Sequence, residues 1–352
     1  MELSYLFFLS SGLFLGWSLG ANDAANIFGT AVGSKMVRFA PIALIACIFV
    51  IIGAVFGGAG TSNTLGTLGN VNALAGSFMV ALSAALSVYL ILRSGVSVST
   101  SQAIVGAIIG WNIYAGQDTD MTTLAEIVST WVICPLISGI VAVILYLGLK
   151  KALKYSKLHL LTLDQLTRVG LIITAAVGAY ALGANNIANV VGVFIPSSPF
   201  KSIHIGGLLT LNGTQVLFLL GSLAISVGIL TYSKKVIMTV GNNLMRMSPM
   251  VALIVVLAQS VVLILFSSLS LHNWLMVHSL PTLPLVPVSS TQAVIGAILG
   301  IGIIKGGRGI NWNIVGKIII GWVAAPLMAA IICFISLFFL ENVFNQIVYI
   351  AE

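Results

Sequence analysis

Charged residues are scarce in this 352-residue chain: they make up 7% of the sequence, whereas hydrophobic residues make up 59%. A soluble domain needs far more charge to cover its surface, so lipid must be the solvent for much of the chain. The three cysteines lie in apolar runs and have neither disulfide nor metal-ligand spacing. The sequence also lacks a nucleophile–base triad, a phosphate-binding loop and a redox motif. We therefore expect that the protein is not an enzyme.

Acidic residues are especially few, which leaves a net charge of +7. Such an excess can indicate a nucleic-acid partner. Here the basic residues lie in short loops between apolar runs, as they do in the cytoplasmic loops of membrane proteins. We therefore expect contacts with membrane lipid and no nucleic-acid partner.

Ten apolar runs account for most of the chain. They cover residues 3–21, 39–58, 73–92, 101–114, 123–149, 166–184, 204–231, 249–270, 290–304 and 313–340. The runs near 101 and 290 are too short to cross a bilayer alone, which predicts re-entrant hairpins or half-helices. The sequence thus predicts an all-α polytopic membrane protein with broken helices and about 10–12 crossings.

The loop charges predict the orientation in a plasma or inner membrane. Loops with basic residues alternate with loops that lack them. The basic residues are Lys35, Arg38, Arg93, Lys150, Lys151, Lys154, Lys157, Lys234, Lys235, Arg246, Lys305 and Arg308. Because basic loops stay in the cytoplasm, the central linker is expected inside and the N-terminus outside.

Three segments recur in the same order. Gly20-Ala-Asn-Asp-Ala-Ala-Asn26 returns as Gly183-Ala-Asn-Asn-Ile-Ala-Asn189, and Val98-Ser-Thr-Ser-Gln102 returns as Val288-Ser-Ser-Thr-Gln292. Trp131-Val-Ile-Cys-Pro135 returns as Trp322-Val-Ala-Ala-Pro326. The order predicts a duplication, with repeats at 1–150 and 166–352 and a cytoplasmic basic linker at 151–165. An odd number of crossings in each half would make this an inverted repeat, which is typical of secondary transporters.

The first recurring segment places Asn22, Asp23 and Asn26 at membrane depth, where polar groups are costly. Gly20 could let the backbone unwind, and unwound carbonyls with side-chain oxygens would suit a hard cation such as Na⁺. The alternative is that the asparagines only join helices.

The second recurring segment places hydroxyls at the start of an apolar, glycine-containing helix, once at 99–102 and once at 289–292. Serine and threonine there can act simply as N-caps. The more specific interpretation is that hydroxyls and free N–H groups at two opposed half-helix N-termini bind an oxyanion.

Neither segment contains lysine or arginine, so an anion near Asp23 needs additional stabilisation. A helix N-terminus contributes about 0.3–2 kcal/mol. Two like charges about 4 Å apart repel by roughly 4 kcal/mol at an effective dielectric of 20. A cation must therefore accompany the anion, which favours symport.

These residues together resemble the inorganic phosphate transporter family, the Pit-type symporters. The match rests on Gly20–Ser34, on Gly183–Asn189 and on the two Ser/Thr-Gln segments, and it spans both halves. The resemblance implies a twelve-crossing inverted-repeat fold with both termini outside. It further implies a protein that is often dimeric and that imports phosphate with Na⁺ or H⁺. The family usually has aspartate where this chain has Asn186, so one candidate cation ligand is absent.

The sequence thus predicts a secondary active phosphate transporter that works by Na⁺ symport and alternating access, with H⁺ coupling left open. A sulfate or other oxyanion permease of the same fold is the alternative, and an anion channel is a further one. We expect a homodimer. The residues predicted to bind phosphate are Asn22, Asp23, Ser99, Thr100, Ser101, Asn185, Ser289, Ser290 and Thr291. Those predicted to bind Na⁺ are Asp23, Asn26, Gln102, Asn186, Asn189 and Gln292.

Overall fold

Helices make up nearly all of the computed structural model, which describes residues 2–69, 71–156, 158–205, 209–240, 247–307 and 309–350. In chain order the helices are α1 (Glu2–Gly33), α2 (Phe39–Gly57), α3 (Ala59–Leu68), α4 (Leu74–Arg93), α5 (Thr100–Ala115), α6 (Met121–Tyr155), α7 (Leu160–Val191), α8 (Gly213–Thr231), α9 (Ser233–Val240), α10 (Pro249–Ser267), α11 (Leu269–Val277), α12 (Ser290–Ile304) and α13 (Trp312–Asn342). A short antiparallel ribbon, β1 (Ile203–Ile205) with β2 (Leu209–Leu211), lies between α7 and α8.

Eight helices within these ranges are long and apolar enough to cross a membrane: α1, α2, α4, α6, α7, α8, α10 and α13. Large apolar side chains on their outer faces are exposed. For example, Leu136 is 62% accessible and Leu327 is 60% accessible. Such faces are stable in hydrocarbon and unstable in water. The chain is therefore an all-α, multi-pass membrane protein, as the sequence predicts.

The two short apolar runs form helices of 16 and 15 residues, α5 and α12. At 1.5 Å per residue they measure roughly 24 Å and 22 Å, less than the thickness of the hydrocarbon core. Each follows a non-helical segment, 96–99 and 280–289, and each begins at a buried residue. Both helices therefore start inside the protein, which confirms the prediction of half-helices.

Helices of the two predicted halves pack on one another reciprocally. The half-helix α5 packs on α13, whereas α12 packs on α6; similarly, α1 packs on α8 and α7 on α2. A Cβ atom on Gly106 of α5 would lie 2.1 Å from the carbonyl oxygen of Pro326, and one on Gly296 of α12 would lie 2.1 Å from that of Pro135. The glycines therefore allow each half-helix to touch the backbone of a long helix from the other half.

Several predicted boundaries differ from the structure. The expected span 204–231 begins only at Gly213, because the ribbon occupies its first part and Asn212 starts α8 with a capping box. The region 151–165 is mostly helical: α6 continues to Tyr155 and α7 starts at Leu160. The division of the chain into repeats at 1–150 and 166–352 stays a prediction.

The backbone of α1 does not unwind at Gly20, contrary to expectation. The helix continues to Gly33, and α7 likewise continues through Gly183. Gly20 instead permits close packing, since a Cβ there would lie 2.0 Å from the carbonyl oxygen of Ile225. Oxygen ligands from α1 must therefore come from its side chains.

The basic residues that predict the orientation lie outside the packed interior. Each one that the structure describes is exposed, from Lys35 in the first loop to Lys305 at the end of α12. Lys157, Arg246 and Arg308 lie outside the described residues. The orientation itself stays a prediction.

Candidate functional site

Four polar segments meet in the interior of the helical bundle. Two are turns of α1 and α7, and two are the first turns of the half-helices α5 and α12. The residues brought together are Asn22, Asp23, Asn26, Ser99, Thr100, Ser101, Gln102, Asn185, Asn186, Asn189, Ser289, Ser290, Thr291 and Gln292. All but Asn26 are at most 4% exposed. Every residue that the sequence singled out as a candidate ligand therefore belongs to one cluster.

The α1 segment connects both half-helices. Asn22 donates from Nδ2 to the Asp23 Oδ1 atom at 2.8 Å and to the carbonyl oxygen of Val98, just before α5, at 3.1 Å. Asn26 donates from Nδ2 to Thr291 Oγ1 of α12 at 3.4 Å. The Asp23 carboxylate also lies near the Ser290 hydroxyl at the start of α12. The single carboxylate of the cluster thus lies between the two half-helix starts.

The α7 segment makes the equivalent contacts with the half-helices exchanged. Asn185 donates from Nδ2 to the carbonyl oxygen of Val288, just before α12, at 2.6 Å. Asn189 donates from Nδ2 to Ser101 Oγ of α5 at 2.8 Å and to Asn186 Oδ1 at 3.0 Å. Each pair of asparagines therefore joins the half-helix of its own half to that of the other.

The first hydroxyl of each half-helix is an N-cap. Ser99 Oγ accepts a hydrogen bond from the backbone N–H of Gln102 at 3.3 Å, and Ser289 Oγ accepts one from Gln292 at 3.2 Å. These caps fix where the helices begin, as the simpler interpretation of the two serines predicts. The first backbone N–H groups of a helix have no intrahelical partner, and here they start within the cluster.

Several buried polar atoms of the cluster have no hydrogen-bond partner in the part of the chain that the structure describes. Three are acceptor oxygens: Gln102 Oε1, Gln292 Oε1 and Asn189 Oδ1. Two others, Thr100 Oγ1 and Asn186 Nδ2, can donate. Leaving a buried polar group unpaired costs about 1–3 kcal/mol. Acceptors and donors side by side are suited to a cation and an oxyanion bound together.

Access to the cluster differs between its two ends. Asn189 is fully buried, whereas its counterpart Asn26 is half-buried. In the predicted orientation α1 runs inward and α7 outward, so Asn26 lies on the cytoplasmic side of the cluster. The described conformation is closed around most of the polar residues and is least closed beside Asn26.

Two contributors to the cluster were not predicted from the sequence, and a further buried amide, on α10, was not predicted either. The carbonyl oxygens of Val98 and Val288 accept from the site asparagines, and no sequence pattern could have identified them. Gln259 of α10 is fully buried, and neither its amide nitrogen nor its amide oxygen has a partner among the described residues. A lone amide in an otherwise apolar run was the available signal for Gln259.

Metal binding by the usual soft or carboxylate-rich clusters has no support in the described residues, which contain no group of three or more His, Cys, Asp or Glu side chains able to hold a metal ion. The oxygens available at the cluster are amide, hydroxyl and carbonyl oxygens with one carboxylate. Such neutral oxygen ligands suit a hard, singly charged cation better than a transition metal.

Comparison with known proteins shows which proteins this chain is similar to. A sequence model described as the phosphate transporter family matches residues 19–273 and 273–350. A protein of Methanocaldococcus jannaschii named putative phosphate permease is 29% identical over 95% of this chain and 97% of its own length. A protein of Haemophilus influenzae with the same name is 24% identical over 95% and 96%.

A solved structure has a fold similar to that of this chain. It is called the sodium-dependent phosphate transporter, and it matches 96% of this chain and 100% of its own chain with a TM-score of 0.76. The two sequences are 21% identical, so the likeness concerns the fold.

Proposed function

Because the chain belongs to the phosphate transporter family, we propose that it carries inorganic phosphate across the membrane by symport with Na⁺. The observation that carries this proposal is the buried cluster in which unpaired acceptors and unpaired donors lie side by side. An anion site alone would need only donors. A cation site alone would need only acceptors.

The half-helix starts form the phosphate side of the proposed site. Thr100, Ser101, Ser290 and Thr291 offer hydroxyls there, and the first backbone N–H groups of both helices point toward bound negative charge. Asn22 and Asn185 position these starts through the carbonyl oxygens of Val98 and Val288. Ser99 and Ser289 contribute as caps and as the outermost hydroxyls of the same turns.

The asparagine and glutamine oxygens form the Na⁺ side. Gln102, Gln292 and Asn189 each have an unpaired oxygen, and Asp23 supplies negative charge next to Asn26. Amide oxygens coordinate metal ions but take up no proton at neutral pH, which favours Na⁺ over H⁺. Asn186 supplies an oxygen without a charge.

The cation also offsets the repulsion between the anion and Asp23. That repulsion is roughly 4 kcal/mol at 4 Å and an effective dielectric of 20. A helix N-terminus stabilises the anion by only about 0.3–2 kcal/mol. Cation and anion therefore stabilise each other in the same site. Mutual stabilisation of this kind is the thermodynamic basis of symport.

Alternating access is supported by the reciprocal contacts of the two halves. Gly106 with Pro326 and Gly296 with Pro135 are equivalent contacts, as are the asparagine pairs. These equivalences support an inverted repeat, in which exchanging the conformations of the two halves would close the Asn26 side and open the Asn189 side. We also propose import as the direction and a homodimer in the plasma or inner membrane.

The decisive test is uptake of labelled phosphate by proteoliposomes, with Na⁺ and pH gradients imposed separately. An inward Na⁺ gradient should drive saturable uptake at constant pH, and a pH gradient without Na⁺ should drive none. Uptake that follows the pH gradient and ignores Na⁺ would refute Na⁺ coupling. Electrical conductance without a cation gradient would favour an anion channel.

Sulfate transport is the second candidate, and Asp23 is the residue that we propose to discriminate against it. Phosphate at neutral pH still carries a proton that it can donate to a carboxylate, whereas sulfate carries none. A site that accepts a substrate proton can reject an analogue without it by several kcal/mol, because its buried acceptor stays unpaired.

Equilibrium binding of labelled phosphate at saturating Na⁺, with sulfate as competitor, tests this role. Sulfate should compete poorly with the unmodified protein and measurably better with Asp23→Asn. If sulfate competes equally poorly in both, Asp23 contacts only the cation and the selectivity assignment is wrong.

A further inference from the structure

A second polar feature lies away from the central cluster, at the ends of three helices that the predicted orientation places on the cytoplasmic side. There a cleft of about 260 Å³ opens between the end of α6, the start of α10 and the end of α12. Its lining includes Lys150 of α6, Ser248 just before α10 and Lys305 just after α12. None of the described residues that line it is acidic. The cleft is therefore suited to an anionic group.

The positive charge in the cleft is held in place. Lys305 Nζ lies 5.0 Å from the ring centroid of Tyr146, which lines the same cleft. A cation–π contact at this distance favours one position of the ammonium group. Both lysines are exposed, so a ligand can reach them from outside.

The rest of the lining identifies the kind of anion. Leucine, valine, isoleucine and methionine side chains form most of the wall, for example Leu153 and Ile254. Other apolar side chains of α6 are exposed near the same end of the helix, among them Leu147, which is 52% accessible. A small hydrophilic anion gains nothing from such a wall. A lipid with an anionic headgroup matches both parts, because its phosphate meets the lysines and its acyl chains follow α6.

We propose that this cleft is a binding site for an anionic phospholipid in the cytoplasmic leaflet. The headgroup phosphate lies between Lys150 and Lys305, and an acyl chain packs along α6. Helix α12 starts in the central cluster and ends at this cleft. A bound lipid therefore ties the inner end of a helix that carries the central hydroxyls to α6 and α10. The proposal does not depend on the identity of the transported ion.

The test uses purified full-length protein in detergent, with phosphatidylglycerol or phosphatidylcholine added, followed by native mass spectrometry and thermal unfolding. Phosphatidylglycerol should bind and raise the melting temperature, and phosphatidylcholine should do neither. The double variant Lys150→Gln/Lys305→Gln should bind phosphatidylglycerol at least roughly 100-fold more weakly, because it loses two charge-assisted contacts with the headgroup phosphate.

Lys151→Gln/Lys154→Gln is the matched control, because these exposed lysines lie on the same helix end but outside the cleft. It removes the same charge and should keep most of the affinity. Equal losses in the two double variants would overturn the specific site in favour of a diffuse basic surface.

Inorganic phosphate distinguishes a lipid site from a site for the free anion. It should not displace bound phosphatidylglycerol, either from the unmodified protein or from Thr100→Ala/Thr291→Ala, in which the central cluster is altered. Displacement from both proteins at matched concentration would overturn the lipid assignment.

Discussion

The two halves of the central cluster have the same frame, meaning the hydrogen bonds from asparagines to the half-helix starts, but they differ in charge. Asn22 and Asn185 each donate to a valine carbonyl before a half-helix, at 3.1 Å and 2.6 Å. Asn26 and Asn189 each donate to a hydroxyl of the opposite half-helix, at 3.4 Å and 2.8 Å. Between them, one half has Asp23 where the other has Asn186. The duplicated contacts position the helices, and the negative charge comes from one half alone.

The frame of the site and its charge are therefore separable. Aspartate and asparagine have nearly the same shape, so the exchange at this position changes charge with little change in packing. The two halves also differ in access, since Asn26 is half-buried and Asn189 is fully buried. We therefore expect substitutions of the frame to affect both halves alike and substitutions of the charge to affect one half.

The largest effect is expected from Asp23→Asn, which makes the first half resemble the second. Removing one partner of a buried charge pair costs about 3–5 kcal/mol, so Na⁺-driven uptake should fall roughly 150- to 5,000-fold. Labelled phosphate uptake in proteoliposomes measures this. Glu126→Gln, which neutralises an exposed carboxylate on α6, should leave uptake nearly unchanged. Uptake preserved in Asp23→Asn would show that the charge asymmetry has no role in coupling.

The next largest effect is expected from the paired change Thr100→Ala and Thr291→Ala, which alters one hydroxyl in each half-helix. Hydrogen bonds to charged groups contribute about 1.5–3 kcal/mol each, so the phosphate affinity should fall at least roughly 100-fold. Equilibrium binding gives the affinity, and the melting temperature reports folding.

Thr167→Ala is the control for this pair, because among the described residues the Thr167 hydroxyl bonds only within its own helix, to the carbonyl oxygen of Leu163 at 2.8 Å. It should bind phosphate normally. Unchanged affinity in the double variant would remove the half-helix hydroxyls from the anion site.

A smaller and symmetrical effect is expected from Gly106→Ala and from Gly296→Ala. In each variant the new methyl group meets a proline carbonyl oxygen at 2.1 Å and must push a half-helix away from a long helix. Overpacking of this kind costs about 1–3 kcal/mol, so both variants should melt at lower temperature by similar amounts. Gly316→Ala of α13 has open space around the new methyl group and should not melt lower. A large difference between the first two would argue against equivalent packing of the halves.

The smallest effect is expected from Asn186→Asp, which gives the second half the charge of the first. The amide nitrogen of Asn186 has no partner among the described residues, so the change breaks no hydrogen bond made by that atom. We expect uptake to stay within about tenfold of the original, a change below roughly 1.4 kcal/mol. The Na⁺ dependence of uptake should become steeper, and an unchanged dependence would mean that this position does not contact the cation.

Much of the site followed from the sequence because its residues are polar at membrane depth, where few explanations other than function exist. Asn22, Asp23 and Asn26 stood out for that reason, and their recurrence at 185–189 made the assignment stronger. The half-helices were predictable from length alone, since neither apolar run can span the hydrocarbon.

Other features depend on contacts between distant parts of the chain and could not be predicted. The hydrogen bonds from Asn26 to Thr291 and from Asn189 to Ser101 connect opposite halves, so they depend on how the halves pack. Gly20 was expected to unwind its helix, but it serves a close contact with Ile225, and composition cannot distinguish these two uses of glycine. The β-ribbon before α8 was not predicted, because its residues belong to an apolar run that continues into the helix.

The contact of Gly106 with Pro326 also limits when the first half can mature during synthesis. About 220 residues separate the two positions. At a synthesis rate of about 5–20 residues per second, roughly 10–40 s pass before α13 can meet α5. Until then α5 lacks its long-helix partner, and until α7 is made the hydroxyls at its start also lack Asn189. A half-helix with unsatisfied polar groups is costly in lipid. Nascent chains arrested after α6 should therefore keep α5 accessible to water-soluble reagents, whereas chains that extend past Asn342 should protect it.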